Sequence, residues 1–166
     1  MEYQHGGDIY TNQVELDYSA NLNPLGLPEG VKNAYIGAAD CCSVYPDSRC
    51  QALRTKLADY HRIGREAVLC GNGAADLIFR LALAKRPKHA LVLAPTFAEY
   101  EAALETVGCD VRRYALNETN DFALTEDVLG AIQPPVEIVF LCQPNNPTGQ
   151  AADRALMRRI LAKCEA

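Results

Sequence analysis

Val-Glu-Ile-Val-Phe-Leu-Cys-Gln-Pro-Asn-Asn-Pro-Thr-Gly, residues 136–149, is the stretch that decides the fold. Residues 136–142 are mostly apolar and rich in β-branched and aromatic types, which is typical of a strand buried on both faces. Residues 143–149 contain two prolines, two asparagines and a glycine, so the backbone turns sharply where the strand ends. Ligands bind at the carboxyl ends of strands in open α/β sheets. We therefore expect the amide side chains of this turn to lie at a binding edge.

Strand and helix patterns alternate on both sides of this stretch. Three further strands are predicted, at residues 67–70, 90–94 and 111–116. Helices are predicted at residues 74–84, through residues 97–104, around 125–132 and at 153–164. This order implies an α/β fold of three layers, in which a mostly parallel sheet has helices on both faces.

The first part of the chain lacks this alternation. Residues 1–47 form a predicted irregular N-terminal segment, with a short strand at residues 14–18 and a helix at residues 28–38. Asp47 or Ser48 is a candidate N-cap for another helix that reaches about Arg62. We therefore divide the chain into an N-terminal arm, residues 1–47, and a large domain, residues 48–166.

The composition excludes several classes of protein. A formal net charge of −5 argues against nucleic-acid binding, which normally needs a basic patch. No apolar run is long enough to cross a membrane, and the polar N-terminus does not resemble a signal peptide, so we expect a cytoplasmic protein. Seven cysteines without a C-x-x-C pair favour reduced thiols in the core over a metal or redox site.

Three strand ends carry residues that suit one kind of ligand. Gly71-Asn72-Gly73 joins a strand to a helix, where free N–H groups hold a phosphate, or it is simply a tight turn. It is not a dinucleotide motif, because Asp76 stands where the third glycine belongs. Phe97 follows the next strand and either covers a flat ligand or belongs to the core. Asn146 offers an amide, although Asn-Pro pairs are also ordinary turn formers.

The coincidence of a phosphate cradle, an aromatic ring and an amide indicates a flat, phosphorylated heteroaromatic cofactor. Together with their order and spacing, the motifs resemble the first half of the fold-type I pyridoxal-phosphate enzymes, the aminotransferase class I and II family. Within it, the nearest branch is that of the threonine-phosphate decarboxylases, followed by the histidinol-phosphate aminotransferases. The resemblance is carried by His5-Gly6-Gly7-Asp8, residues 17–26, Tyr45-Pro46-Asp47, Gly71-Asn72-Gly73, Phe97-Ala98-Glu99-Tyr100 and residues 142–149.

The resemblance implies pyridoxal 5′-phosphate as the cofactor and assigns roles to individual residues. The backbone of Gly73, Ala74 and Ala75 would bind the cofactor phosphate, Phe97 would stack on the pyridine ring, and Asn146 would hydrogen-bond the phenolic oxygen.

Other matching residues concern the substrate and the partner subunit. Tyr45 matches a tyrosine that reaches the phosphate of the neighbouring subunit's cofactor, which implies a homodimer with shared sites. His5, Gly6 and Asn21 match segments that close over a phosphorylated amino-acid substrate, although an ordered N-terminal turn explains them equally well.

In the family, three functional residues follow the Asn-Asn-Pro-Thr-Gly turn. They are the catalytic lysine, the aspartate that pairs with the pyridine nitrogen and the arginine that binds the substrate. We find no match for any of them, because Lys32, Lys56, Lys85 and Lys88 precede the turn and Lys163 has a different sequence context. We therefore name no catalytic residue and expect a truncated form that is inactive alone. The alternatives are a histidinol-phosphate aminotransferase-like fragment, a non-catalytic module that complements a second polypeptide, and a Rossmann-like nucleotide binder, which Asp76 disfavours.

The family's sheet separates the strand at residues 67–70 from the strand at residues 136–142 by strands that come later in sequence. Unpaired strand edges are costly and prone to association. We therefore expect these two strands to pair directly, or a partner chain to fill the gap.

Overall fold

The computed structural model describes residues 6–165. They form two compact units, of which the first ends at Leu53 and the second begins at Arg54. The division of the chain at residue 47 that the sequence suggests stays a prediction.

The first unit contains helix α1 (Glu29–Gly37), a 3₁₀ turn (Ala39–Ser43) and the start of helix α2 (Gln51–His61). Asp47 accepts hydrogen bonds from the backbone N–H groups of Gln51 at 2.6 Å and Arg49 at 2.9 Å, and so satisfies the first N–H of α2. These bonds lower the pKa of the Asp47 carboxyl. The helix itself begins at Gln51, after a turn at residues 48–49, so the N-cap position predicted at Asp47 or Ser48 is too early in the chain. The strand predicted at residues 14–18 is wrong. Asp17 bonds the Ser19 N–H at 2.7 Å, and this local turn takes the place of extended structure.

Three parallel strands form the sheet of the second unit, in the order β2-β1-β3. They are β1 (His89–Ala94), β2 (Asp110–Ala115) and β3 (Ile138–Phe140). The strand predicted at residues 136–142 is therefore present but shorter than expected. The helices are α3 (Gly73–Lys85), α4 (Glu99–Glu105) and α5 (Arg154–Glu165), and a 3₁₀ turn (Glu126–Gly130) replaces the helix predicted around residues 125–132.

Side chains of β1 alternate between two hydrophobic clusters. Leu91 and Leu93 pack with Leu156 and Ile160 of α5 on one face of the sheet. The other face carries a second cluster, Ala90, Val92, Tyr100, Leu104 and Phe140, against which Ile78 of α3 packs. Because a strand's side chains point to opposite faces in turn, helices cover both faces of the sheet. The predicted three-layer α/β fold is confirmed.

The strand predicted at residues 67–70 is wrong. Arg65–Ala67 is a 3₁₀ turn, and Val68 is extended but belongs to no ladder. The Val68 carbonyl accepts a hydrogen bond from Arg54 Nε at 2.7 Å, and Leu69 is 68% exposed. A strand needs a neighbouring edge as well as extended backbone, and in residues 6–165 the recorded partner of β3 is β1. The expected direct pairing with the strand after residue 136 is therefore wrong too.

All seven cysteines are free, but Cys41, Cys42 and Cys164 are exposed, so the prediction of core positions is wrong for these three. Within the described residues, no group of three His, Cys, Asp or Glu side chains could hold a metal ion. Over the same range, every helix is too short or too polar to cross a bilayer.

Candidate functional site

The carboxyl ends of β1 and β3 lie at one edge of the sheet, because the two strands are parallel neighbours. The segment after β1, Pro95-Thr96-Phe97, leads into α4, and residues 141–149 follow β3. The structure therefore brings two of the predicted cofactor contacts, Phe97 and Asn146, to the same edge.

Phe97 lies at the margin of the second cluster. Its half-buried ring meets Tyr100 edge to face, with 5.7 Å between ring centroids. Tyr100 in turn stacks on Phe140 at 4.9 Å with an interplanar angle of 16°. The sequence left open whether Phe97 belongs to the core or covers a flat ligand. The two roles are compatible, since the core holds Phe97 while part of its ring remains accessible.

Asn145, which sequence reasoning passed over, is the buried asparagine of the turn, with 5% of its surface exposed. Its side chain accepts a hydrogen bond from the Thr96 hydroxyl at 2.7 Å and donates to Pro95 O at 3.0 Å and to Thr148 Oγ1 at 2.9 Å. A buried amide needs such partners. The signal in the sequence was the doubled asparagine, but spacing alone could not tell which of the two is buried.

Asn146 is half-buried and is held by its backbone. Its N–H donates to Cys142 Sγ at 3.4 Å. Among residues 6–165, the hydrogen bonds recorded for Asn146 involve this backbone group and not its side-chain amide. The amide is therefore available to a ligand, as the predicted role requires.

The N-terminus of α3 has the form of an anion site. Gly73 has a φ of +78°, and a Cβ built there would meet no atom within 4 Å. The first helical N–H, that of Gly73, donates to Gly71 O at 3.0 Å. The Asn72 side chain makes no capping bond, so it leaves the next two N–H groups, those of Ala74 and Ala75, uncapped. These groups and the helix dipole favour a negative ligand.

Asp76 lies in the first turn of α3 without occupying those N–H groups. It accepts from the Asn72 N–H at 2.9 Å and from Arg80 Nε at 2.8 Å. The Asn72 bond, and to a lesser extent Arg80, lower the pKa of the Asp76 carboxyl. The carboxylate thus fixes the residue before the helix, and Arg80 offsets its charge.

Chain direction carries the start of α3 toward the edge that holds Phe97 and Asn146. Only residues 86–88 separate the end of α3 from the start of β1, so the helix runs back along the strand. Ile78 of α3 and Phe97 pack against the same cluster. Gly73 therefore lies toward the carboxyl end of β1.

The remaining predicted contacts lie in the first unit and stay predictions. Tyr45 is 99% exposed. Gly7 N–H donates to Ser19 Oγ at 2.8 Å, and a Cβ on Gly6 would come within 1.8 Å of the Ser19 carbonyl oxygen, so only glycine fits there. Asn21 is exposed, and His5 lies outside the described residues.

Three of the five lysines lie toward the opposite edge of the sheet. Lys85 is the last residue of α3, and Lys88 precedes β1. Lys163 lines a groove of about 590 Å³ together with Glu137, which precedes β3. Lys32 and Lys56 are on α1 and α2.

The structure is a parallel α/β sheet with an open helix N-terminus, an aromatic ring and an amide turn toward its carboxyl edge, which is where ligands commonly bind in open α/β sheets. The sequence matches the aminotransferase class I and II family over residues 12–166. The chain therefore belongs to that family.

The similar proteins include decarboxylases and aminotransferases. The chain is 42% identical to a threonine-phosphate decarboxylase of Salmonella typhimurium, over 97% of this chain and 46% of that protein. It is 40% identical to a histidinol-phosphate aminotransferase of Desulfitobacterium hafniense, over 90% of this chain and 43% of that protein. The crystal structure of L-threonine-O-3-phosphate decarboxylase from Porphyromonas gingivalis aligns with a TM-score of 0.71 at 28% identity, over 81% of this chain and 39% of that chain. The chain thus spans less than half the length of these relatives.

Proposed function

We propose that this chain is the part of a pyridoxal-phosphate enzyme that binds the cofactor without a covalent link. The observation that carries the proposal is the shared edge of β1 and β3, where Phe97 and the amide of Asn146 lie and toward which the uncapped start of α3 is directed.

Each group of the cofactor has a matching residue. The backbone N–H groups of Ala74 and Ala75 would hold the phosphate, since a helix N-terminus binds dianions through its N–H groups and dipole. The Gly73 N–H, which donates to Gly71 O at 3.0 Å, would join them by exchanging that partner for the phosphate. Phe97 would cover the ring, and the Asn146 amide would donate to the phenolic oxygen. When bound, pyridoxal phosphate supplies an electron sink for bonds at an amino-acid α-carbon.

For the whole enzyme, we propose decarboxylation of threonine phosphate, the reaction named for the Salmonella typhimurium and Porphyromonas gingivalis proteins. The similarity to a bifunctional protein of adenosylcobalamin biosynthesis from Leptospira interrogans supports a role in that pathway. The second candidate is a histidinol-phosphate aminotransferase, which the Desulfitobacterium hafniense relative favours. Assays of a longer form of the protein distinguish the two candidate functions. A decarboxylase releases carbon dioxide from threonine phosphate, whereas an aminotransferase transfers the amino group of histidinol phosphate.

The 166 residues alone should not catalyse either reaction, because Lys85, Lys88 and Lys163 lie toward the edge opposite Asn146. The other two lysines, Lys32 and Lys56, are exposed on α1 and α2 and match no catalytic position of the family. Borohydride reduction followed by mass spectrometry tests this, since reduction fixes any lysine–cofactor link. We expect binding of pyridoxal phosphate without a stable adduct. A single modified lysine, or substrate turnover above that of free pyridoxal phosphate, would contradict the proposal.

We propose a homodimer in which Tyr45 reaches the cofactor of the partner subunit. Tyr45 is 99% exposed. Many apolar side chains of the first unit are also exposed, including Tyr10 at 90% and Leu25 at 92%. Exposed apolar surface of this extent favours association. The alternative is a complementing second polypeptide. Sedimentation equilibrium supports the homodimer if the purified chain has twice its monomer mass at micromolar concentration, and a monomer favours the second polypeptide.

A further inference from the structure

Asn145 lies beside the proposed cofactor contact Asn146. Its own side chain makes hydrogen bonds within the protein and is not proposed to contact the ligand. We infer that Asn145 is a positioning residue, which fixes the Asn146 amide relative to the Phe97 ring. The inference rests on the proposed function, because its ligand is pyridoxal phosphate.

The side chain of Asn145 joins the two strand ends that carry the site. It bonds Pro95 O at 3.0 Å and the Thr96 hydroxyl at 2.7 Å, and these residues directly precede Phe97. Its second amide hydrogen reaches Thr148 Oγ1 at 2.9 Å, within the turn itself. One buried side chain thus connects the residue before Asn146 to the two residues before Phe97.

Backbone hydrogen bonds of Asn145 also close the turn. Asn145 N–H donates to Gln150 O, and Asn145 O accepts from Gly149 N–H, both at 2.7 Å. A second anchor holds Asn146 N–H on Cys142 Sγ. The Cys142 thiol donates to Pro144 O at 3.3 Å, and Cys142 packs against the same cluster as Phe97. The Asn146 backbone is thus anchored on a residue that packs against the same cluster as Phe97.

The chemistry of the bonds requires an amide at position 145. Pro95 O and Thr148 Oγ1 take the two N–H donors, while the Thr96 hydroxyl needs an acceptor. An aspartate of the same shape would set a buried carboxylate against the Pro95 carbonyl oxygen. Asn145→Asp should therefore be as damaging to the site as Asn145→Ala.

The pyridoxal-phosphate affinities of variant proteins distinguish a positioning role of Asn145 from direct contact with the ligand. In fluorescence titrations with pyridoxal phosphate, Asn145→Ala should weaken affinity about ten-fold, the loss that one hydrogen bond's free energy produces. In an Asn146→Ala background the same change should add less than about two-fold, because its effect acts through Asn146. Fully additive losses, or an unchanged affinity in Asn145→Ala, would overturn the inference. Asn120→Ala removes an exposed asparagine elsewhere and is the matched control.

Hydrogen exchange tests the same inference without a ligand. Asn145→Ala should raise exchange at the Asn146 and Gly149 amides about ten-fold while leaving Val92 in β1 unchanged. An equal rise at Val92 would mean general destabilisation and would reject a positioning role, as would an unchanged turn. If the turn loosens as expected but the wild-type chain shows no saturable binding, the proposed function fails and the link between Asn145 and the turn stands. Thr96→Val, which removes one of the three side-chain bonds, replaces Asn145→Ala in both experiments if that variant does not fold.

Discussion

The Thr96 hydroxyl donates a hydrogen bond of 2.7 Å to Asn145 Oδ1, and this bond joins residues 49 positions apart in the sequence. It connects the segment after β1 to the turn after β3, the two segments that carry Phe97 and Asn146. Because this part-buried bond joins two segments that are far apart in the sequence, it contributes to stability as well as to the shape of the edge.

Thr96→Val keeps the shape of the side chain but leaves Asn145 Oδ1 without its donor. An unsatisfied buried acceptor costs about 1–3 kcal/mol, so we expect a loss of that size in the free energy of unfolding, measured in urea. Thr119→Val is the matched control, because Thr119 Oγ1 donates to Asn117 Oδ1 at 2.8 Å in an exposed pair. The control should change stability by less than about 0.5 kcal/mol. Equal losses in the two variants would contradict the importance of the buried bond.

Gly73→Ala places a side chain on backbone with a φ of +78°. This conformation costs an L-residue about 1–2 kcal/mol, so the variant should be destabilised by that amount or should move the start of α3 and weaken phosphate binding. Gly130→Ala is the control, since a Cβ there meets open space and no positive φ is involved. It should be neutral or slightly stabilising. A Gly73→Ala protein with unchanged stability and unchanged affinity for pyridoxal phosphate would argue against the cradle.

Burial, and then the neighbouring Cys142 thiol, raise the pKa of Tyr100 from 10.0 to about 12. The unfolded chain loses this proton first, so the stability that the protonated phenol supplies is present below pH 10 and is lost as the pH rises through 12. Each unit of difference corresponds to about 1.4 kcal/mol. Urea unfolding between about pH 9 and about pH 11 should therefore show a shallower decline for Tyr100→Phe than for the wild type. Equal slopes would show that Tyr100 titrates normally in the folded protein.

The sequence predicted the layers of the fold because local patterns specify them. The apolar runs that became β1 and β2 and the glycine turn before α3 were identified from composition and spacing. Residues 67–70 were misjudged for a physical reason, since extended backbone forms a strand only when its N–H and C=O groups pair with a neighbouring strand. The Val68 carbonyl instead bonds Arg54, a partner 14 residues away that no periodicity reveals.

The candidate site shows the same division between local and long-range information. Asn146, Phe97 and Gly73 were predicted from strand ends and motif resemblance, both of which are local features. Asn145 was missed because its role depends on Pro95 and Thr96, which reach it only through the pairing of β1 with β3. Burial across two strand ends is set by tertiary structure, so neighbouring asparagines that look alike in sequence have different surroundings.

The central claim is that the carboxyl edge binds pyridoxal phosphate through its phosphate and its ring together. Equilibrium dialysis of the 166-residue protein against pyridoxal phosphate and against pyridoxal, which lacks the phosphate, tests it most directly. We predict saturable binding of one pyridoxal phosphate per chain, at least about ten-fold weaker binding of pyridoxal, and a loss of similar size with Asn146→Ala. Equal affinity for the two compounds, or no saturable binding of either, would contradict the claim.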